Sequence, residues 1–525
     1  MMASTSRLFK GNRFVVGLLI LGFPSLVLGQ SNYAVTTPNS VTPGNFNTLV
    51  GPFAGNSSMR GLYNVFMGYN AGQSTTTGYY NVFMGFGTGQ ANTTGSQNTF
   101  VGINVGANNT IGSQNAIVGG YAGQFNTTGF SNSFLGSYAG YSNTIGSQNV
   151  FLGTYAGYTN LTGVDNAFVG SFAGYRSTGS QNAFVGSFAG YNNSTGARNA
   201  FLGFNAGRAG TTGSQNVFIG TEAGFSTTTG SYNAFNGYRA GYSNTIGAQN
   251  VFVGESTGFN NTTGLNNTFI GNTSSFSNTI GSNNVSVGIR AGYSNLSGSN
   301  NVLVGDSAGY ANTVGNNVFI GSKAGFLNQI GAQNTFIGFQ SGYSATAGLN
   351  TFVGYLSGRA NTTGTQNTFL GATAGRNTTT GSSNLFVGDS VGQANTVGRF
   401  NTFLGSRSGF RNVSGEGNTF IGQQTGFSNA TGLNNTFIGN ASSFSNTTGS
   451  NNISVGIRAG YSNVAGSNNV LVGDSAGSTN TVGNNVFIGS KAVFLTTLVL
   501  QNTFIGFQSG YSGTAGVNTF VGYLS

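Results

Sequence analysis

The sequence predicts an all-β chain, a parallel β-solenoid or β-roll of about 29 seventeen-residue rungs. Three observations carry that prediction. An Asn recurs every seventeen residues from Asn47 to Asn166 and on to Asn518, with occasional sixteen-residue steps such as Asn166 to Asn182 and Asn301 to Asn317. A Gly follows at the fifth position of every unit, from Gly51 to Gly522. Between them stand a Phe and an aliphatic residue, while Gly recurs too often for helix and no apolar stripe of period 3.6 exists.

The consensus is N-[TVA]-F-[VIL]-G-x-x-[AS]-G-[YF]-x-N-T-T-G-S-Q. Its first part, N-x-F-V-G, reads as a strand of about five residues, and N-T-T-G reads as a turn. Seventeen residues cannot fold alone. Stacked at about 4.8 Å per rung they would build a rod of about 140 Å. Phe fills position three except at Leu49, Ile117, Ser286, Leu303, Ser454 and Leu471, and position four is aliphatic or Met except at Asn236.

Asn98, Phe100, Gly102, Asn115, Gly119, Asn149, Phe151 and Gly153 represent the repeated phrase, and each receives a structural role. Stacked Asn side chains can hydrogen-bond from rung to rung, and Asn tolerates a left-handed turn. The Gly residues serve positive φ or close backbone approach. Functional variation is then expected between the phrases, as at Ile103 to Ala107.

Neighbouring strand residues face opposite sides, so the Phe at position three and the aliphatic residue at position four cannot share one core. One of the two needs a second apolar surface, and a bundle of three parallel coils would bury it along a central seam, which favours a homotrimer over a monomeric solenoid. Arg239, Arg290, Lys323, Arg407, Arg458 and Lys491 fall at position seven, and Glu255, Asp306, Asp389 and Asp474 at position six. That placement predicts a strand that is buried and a following segment that faces water.

Composition narrows the function. Only 5% of the 525 residues are charged, and His, Cys and Trp are absent. The usual imidazole base, thiolate nucleophile and zinc ligands are therefore missing, so no catalytic, cofactor-binding or metal-binding residue is assigned. Lone charges such as Arg290, Asp306 and Lys323 on successive rungs do not make an enzyme site. The formal charge is +10, but the basic residues are not clustered and no nucleic-acid partner is expected.

Residues 1–29 read as a signal peptide: Arg7, Lys10 and Arg13 precede the apolar run Phe14 to Phe23, and Val27-Leu28-Gly29 precede Gln30. The chain is expected to be secreted or at the cell surface, with no membrane span apart from that signal. Residues 30–46 read as a leader or N-terminal cap and 47–525 as the repeat array, which stops part-way through a unit and is expected to be truncated. Gly264 to Ser357 recurs as Gly432 to Ser525 at an offset of 168 residues. Within the copy, "VFLTTLVLQ" (Val493 to Gln501) replaces "GFLNQIGAQ" (Gly325 to Gln333), as a compensated frameshift or sequencing error across Val493 to Leu500 would do.

Units such as "NAFVGSFAGY" (Asn182 to Tyr191) and "NTFIGFQSGY" (Asn334 to Tyr343) resemble the head repeats of YadA-like trimeric autotransporter adhesins, and related bacterial surface and tail-fibre repeats. The resemblance covers Asn47 to the end. It implies a trimeric β-roll and an exported, repetitive adhesive surface protein that attaches to host, matrix, glycan or other polysaccharide. Two other readings use the same repeat: an ice- or carbohydrate-binding solenoid with stacked Asn and Thr in its turns, and a phage-type tail-fibre shaft. The N-x-[ST] triplets, such as Asn92-Thr93-Thr94 and Asn126-Thr127-Thr128, are formal glycosylation acceptors that turn chemistry explains without sugar.

Overall fold

The computed structural model describes residues 46–494, 501–511 and 517–525. Residues 1–29, expected to be a signal peptide, nearly all of residues 30–46, expected to be a leader or cap, and Leu495 to Leu500 of the altered segment lie outside the described residues. The described chain is a parallel β-solenoid of about 27 turns with no helix. It divides into two units, one ending at Ser231 and the other beginning at Tyr232.

In the first unit the strands run from β1 (Thr48–Val50) to β11 (Val217–Ile219), each paired in parallel with the next. The register is one full unit per step, so Phe83, Phe100 and Ile117 stand opposite one another. In the second unit β12 (Ala234–Asn236) to β29 (Thr519–Val521) repeat the scheme, and register is kept across the sixteen-residue step that sets Leu303 against Phe319.

Each strand has three residues, not the five expected. Two local events shorten it. The backbone N–H of the position-one Asn turns to a side chain, as Asn115 does to Oδ1 of Asn98. The position-five Gly then leaves the strand at a φ of +136° in Gly102, a region that side-chain-bearing residues avoid.

Backbone pairing does not stop where the strand stops. Around the rest of the turn, Gly106 donates to the Ala122 carbonyl at 3.1 Å, Asn108 to Gln124 at 2.9 Å and Thr110 to Thr127 at 2.9 Å. Gln114 donates back to Ser96 at 2.9 Å. Polar backbone groups that a narrow interior could not solvate are thus satisfied rung by rung.

The core is one ring wide. Phe151 is fully buried and stacks 4.7 Å from Phe134 and 4.9 Å from Phe168, nearly parallel to both. Position eight closes over it with a buried Ala, and position nine with Gly157, where an added Cβ would lie 2.6 Å from the Phe151 ring. The expectation of a buried strand followed by a solvent-facing segment is therefore corrected. Only positions one and three of the strand region are inside, positions eight and nine are inside too, and positions two and four look outward.

The 168-residue duplication, both copies of which lie in the second unit, repeats a polar interruption of the Phe column. Ser286 replaces Phe and its hydroxyl bonds to Ser275 at 2.8 Å, and Ser454 does the same with Ser443. Val493, at the Gly325 position of the copy, is fully buried with a φ of +51°, a conformation that opposes a β-branched side chain.

Candidate functional site

The repeated phrase faces inward. Asn115 donates Nδ2 to Asn98 Oδ1 at 3.1 Å and to the Gly129 carbonyl at 2.9 Å, and Asn149 makes the same pair of bonds to Asn132 and Gly163. Asn98, Phe100, Asn115, Asn149 and Phe151 are buried, while Gly102, Gly119 and Gly153 turn the chain with φ between +134° and +136°. Of Ile103 to Ala107, Ile103 and Asn104 reach solvent, whereas Val105, Gly106 and Ala107 are interior.

A second amide ladder occupies position twelve. Asn109, Asn126 and Asn143 each donate Nδ2 to the Oδ1 of the rung before, at 2.9, 2.8 and 2.8 Å, and to the Gly three residues on. The Asn of each formal glycosylation triplet at this position, Asn92 and Asn126 among them, is fully buried. The next Thr is also engaged: Thr93 Oγ1 donates to the Thr110 carbonyl at 3.0 Å. The stacked Asn and the first Thr are bricks of the turn, whereas the second Thr, as at Thr94 and Thr128, faces solvent.

The left-handed residues are not these Asn. Apart from Ser275, Ser443 and Val493 at position nine, they sit at position seven, as in Asn104 (φ +52°), and at the end of the unit, as in Gln97 (φ +60°). Position seven holds no Val or Ile in any unit, and of the β-branched residues only Thr273 and Thr373 adopt the bend there. All the position-seven charges named above project from this bend.

Three surface features remain for function. The first is the outward face of the sheet. Position two presents Thr, Val or Ala except at Ser133, Leu385 and Ile453, and position four an aliphatic residue rung after rung, with Leu135 at 54%, Leu202 at 49% and Val253 at 37% exposure. In the position-four column the one polar residue is Asn236, also exposed.

The second is a double aromatic row in the first unit. Position ten is aromatic in most units, but only in the four units between Asn132 and Asn199 does position seven join it, with Tyr121 of the unit before extending the position-seven column. Tyr121, Tyr138, Tyr155, Phe172 and Phe188 stack at 5.0 to 5.2 Å. Beside them Tyr141, Tyr158, Tyr175 and Tyr191 stack at 5.0 Å. The two columns meet at about the same distance but tilted, as Tyr155 and Tyr158 do at 5.5 Å and 57°. Arg208 takes the next place in the position-ten column, with its guanidinium 5.9 Å from the Tyr191 ring and 5.3 Å from Phe188.

Ring faces in these columns are covered by neighbouring rings, so ring edges and phenol hydroxyls are what solvent meets. Burial raises the Tyr158 phenol above its ordinary value, and the neighbouring phenols Tyr141, Tyr175, Tyr155 and Tyr138 add to that. The recurrent "YAGY" at Tyr138 to Tyr141 and Tyr155 to Tyr158 was the available sign in the sequence. Its meaning depended on a turn that sets residues three apart side by side.

The third feature lies at the start of the first unit. Phe46, Tyr63 and Tyr80 stack at 5.0 to 5.1 Å on one margin of the sheet, and Tyr69 and Phe86 stack at 5.3 Å on the other. Val65, Met67, Val82 and Met84 lie between, so the apolar face is four columns wide there. Among the described residues no group of acidic, His or Cys side chains could hold a metal ion, and no helix is long and apolar enough to cross a membrane.

Comparison with family models, curated proteins and solved structures finds no match.

Proposed function

We propose that the chain is an exported, repetitive structural and adhesive surface protein, built of as many as 29 rungs and assembled from copies of itself through the outward face of its sheet. The observation that carries this reading is the aliphatic column at position four, exposed along a parallel sheet. Parallel sheets are ordinarily covered on both faces, and large exposed apolar stripes mark interaction surfaces.

The size of the stripe supports a stable contact. At about 4.8 Å per rung, the face from β12 to β29 runs roughly 80 Å, and two columns make it roughly 10 Å wide. That is roughly 800 Å², the area each partner contributes to a standard interface. A second copy of this chain carries the same rung spacing along the whole contact, which an unrelated globular surface does not. Three copies about one axis, as in the YadA-like head repeats that the sequence resembles, cover the stripe with none left over.

Attachment to matrix or polysaccharide is assigned to the double aromatic row, where phenol hydroxyls stand in a regular array beside Arg208. The turn Asn and the first Thr are poor candidates for an ice- or glycan-binding face, because their side chains are buried or bonded to backbone, and the exposed second Thr, as at Thr94 and Thr128, gives way to Ile111 and Ile145 in other units. A tail-fibre shaft would use the same sheet-face assembly.

Sedimentation of the exported chain tests the reading. Three copies are expected, and a chain carrying Ile270→Glu and Ile438→Glu, both at position four, is expected to sediment as a single copy with its β-sheet signal unchanged. A single-copy unsubstituted chain overturns the assembly. Binding to immobilised polysaccharide that survives Tyr138→Ser with Tyr155→Ser would remove the aromatic row from the adhesive role.

A further inference from the structure

A repetitive contact has a register problem. If two copies slide past each other by one rung, each aliphatic residue at position four meets another aliphatic residue, and the buried area is almost the same. The seam alone therefore does not choose among many alignments, just as strands of uniform pattern are prone to slippage. Only residues that break the repeat can choose.

Position four is broken once. In β12 the strand reads Ala234-Phe235-Asn236, with Phe235 in the core and Asn236 outward, and Asn236 stands beside Val253 of the next rung in direct register. Every other unit has Val, Ile, Leu or Met there. Ala234 leaves the neighbouring outward position small.

We propose that Asn236 is the register pin of the self-assembled protein: parallel copies align so that their Asn236 side chains meet and hydrogen-bond across the seam. This inference rests on the self-association reading above. The chemistry is that of a polar residue in an apolar interface. A carboxamide carries both donor and acceptor, so Asn against Asn is self-complementary. In any slipped alignment each Asn236 faces Val, Ile or Leu, and its amide loses water without gaining a partner. Each buried, unpaired amide disfavours that alignment by a factor on the order of tenfold, and every copy in the assembly adds its own.

Orientation follows from the same residue. An antiparallel pairing sets Asn236 against an aliphatic position-four residue wherever the two-fold axis does not pass through it. Parallel copies in register bring the two together at any point along the contact. A single polar residue at an otherwise apolar seam position specifies register in coiled coils by the same physics, at some cost in stability.

The absence of Cys makes the test direct. A spin label is attached at Ile280→Cys, an exposed turn position away from the sheet face, and inter-copy distances are measured by pulsed dipolar spectroscopy with and without Asn236→Val. The Val variant restores the residue that Val253 and Val287 already supply at this position, so folding is retained. The expected result is one narrow distance in the parent chain and additional longer distances in Asn236→Val, with assembly no weaker. A narrow distance in both chains, or a broad distribution in both, overturns the pin while leaving self-association standing. Absence of inter-copy coupling in the parent overturns the self-association reading itself.

Discussion

Asn115 gives both its backbone N–H and its side-chain Nδ2 to the single Oδ1 of Asn98, at 3.0 and 3.1 Å. The same side chain spans to the Gly129 carbonyl near the end of its own unit. One residue type thus ends a strand, ties its unit to the one before and to its own closing turn, and fills a buried corner, which is why no unit lacks it.

That geometry makes Asn115→Asp a sharp test. A carboxylate offers no N–H to Asn98 or to Gly129, and it would be buried as a charge. The expected loss is about 2 kcal/mol or more, against about 1–3 kcal/mol for Asn115→Ala. Amide hydrogen exchange read by mass spectrometry should show faster opening over the rungs that include Ala116 and Gly129, and unchanged exchange there would contradict the ladder's role.

Phe151 should tolerate Leu better than Ala. Leu303 and Leu471 are fully buried in the same column and keep register with their Phe neighbours. Phe151→Ala leaves a gap between Phe134 and Phe168 and is expected to cost about 3–5 kcal/mol, with Phe151→Leu costing clearly less. Chemical denaturation monitored by sheet signal distinguishes them, and equal losses would mean that contact between rings, rather than filled volume, holds the column.

Two Gly→Ala substitutions should behave in opposite ways. Gly157 has a φ of +61° and presses on the Phe151 ring, so Gly157→Ala combines left-handed strain of about 1–2 kcal/mol with overpacking. At Gly120 an added Cβ meets nothing closer than 3.9 Å and φ is not left-handed. Gly120→Ala is therefore expected to be neutral or to stabilise by about 0.5 kcal/mol through the unfolded chain. Melting temperatures of the two variants check the pair.

Tyr158 supplies a pH dependence. Its phenol is held above the ordinary value by burial first and by Tyr141, Tyr175, Tyr155 and Tyr138 after it. Below about pH 10 both folded and unfolded chains keep the proton, so this contribution to stability is whole. As pH rises further the unfolded chain ionises first, and the contribution is lost up to the folded value. Ultraviolet titration should show one late-ionising phenol that disappears in Tyr158→Phe, whereas an unchanged titration curve would place the late phenol elsewhere.

Part of the fold was legible because a repeat writes the same physics many times. The Asn spacing marked the rung, and the run from Asn98 through Phe100 to Gly102 marked a strand and its end. The strand came out two residues shorter because Asn115 spends its backbone N–H on a side chain, which spacing does not reveal. The second ladder, Asn109 to Asn143, looked like loop composition, since a buried Asn and a turn Asn are alike in sequence.

By itself the sequence determined the seventeen-residue period, the parallel register and the demand that either position three or position four face away from the core, because these follow from chain geometry and alternation. Tertiary structure decided which one. The interior is a single ring wide, closed by Ala156 and Gly157 over Phe151, so the Phe goes in and the aliphatic column goes out. It also decided that Tyr155 and Tyr158 stand side by side, because a left-handed bend at position seven turns both toward solvent. Non-local packing and local backbone handedness settle these choices, and neither is written in residue spacing.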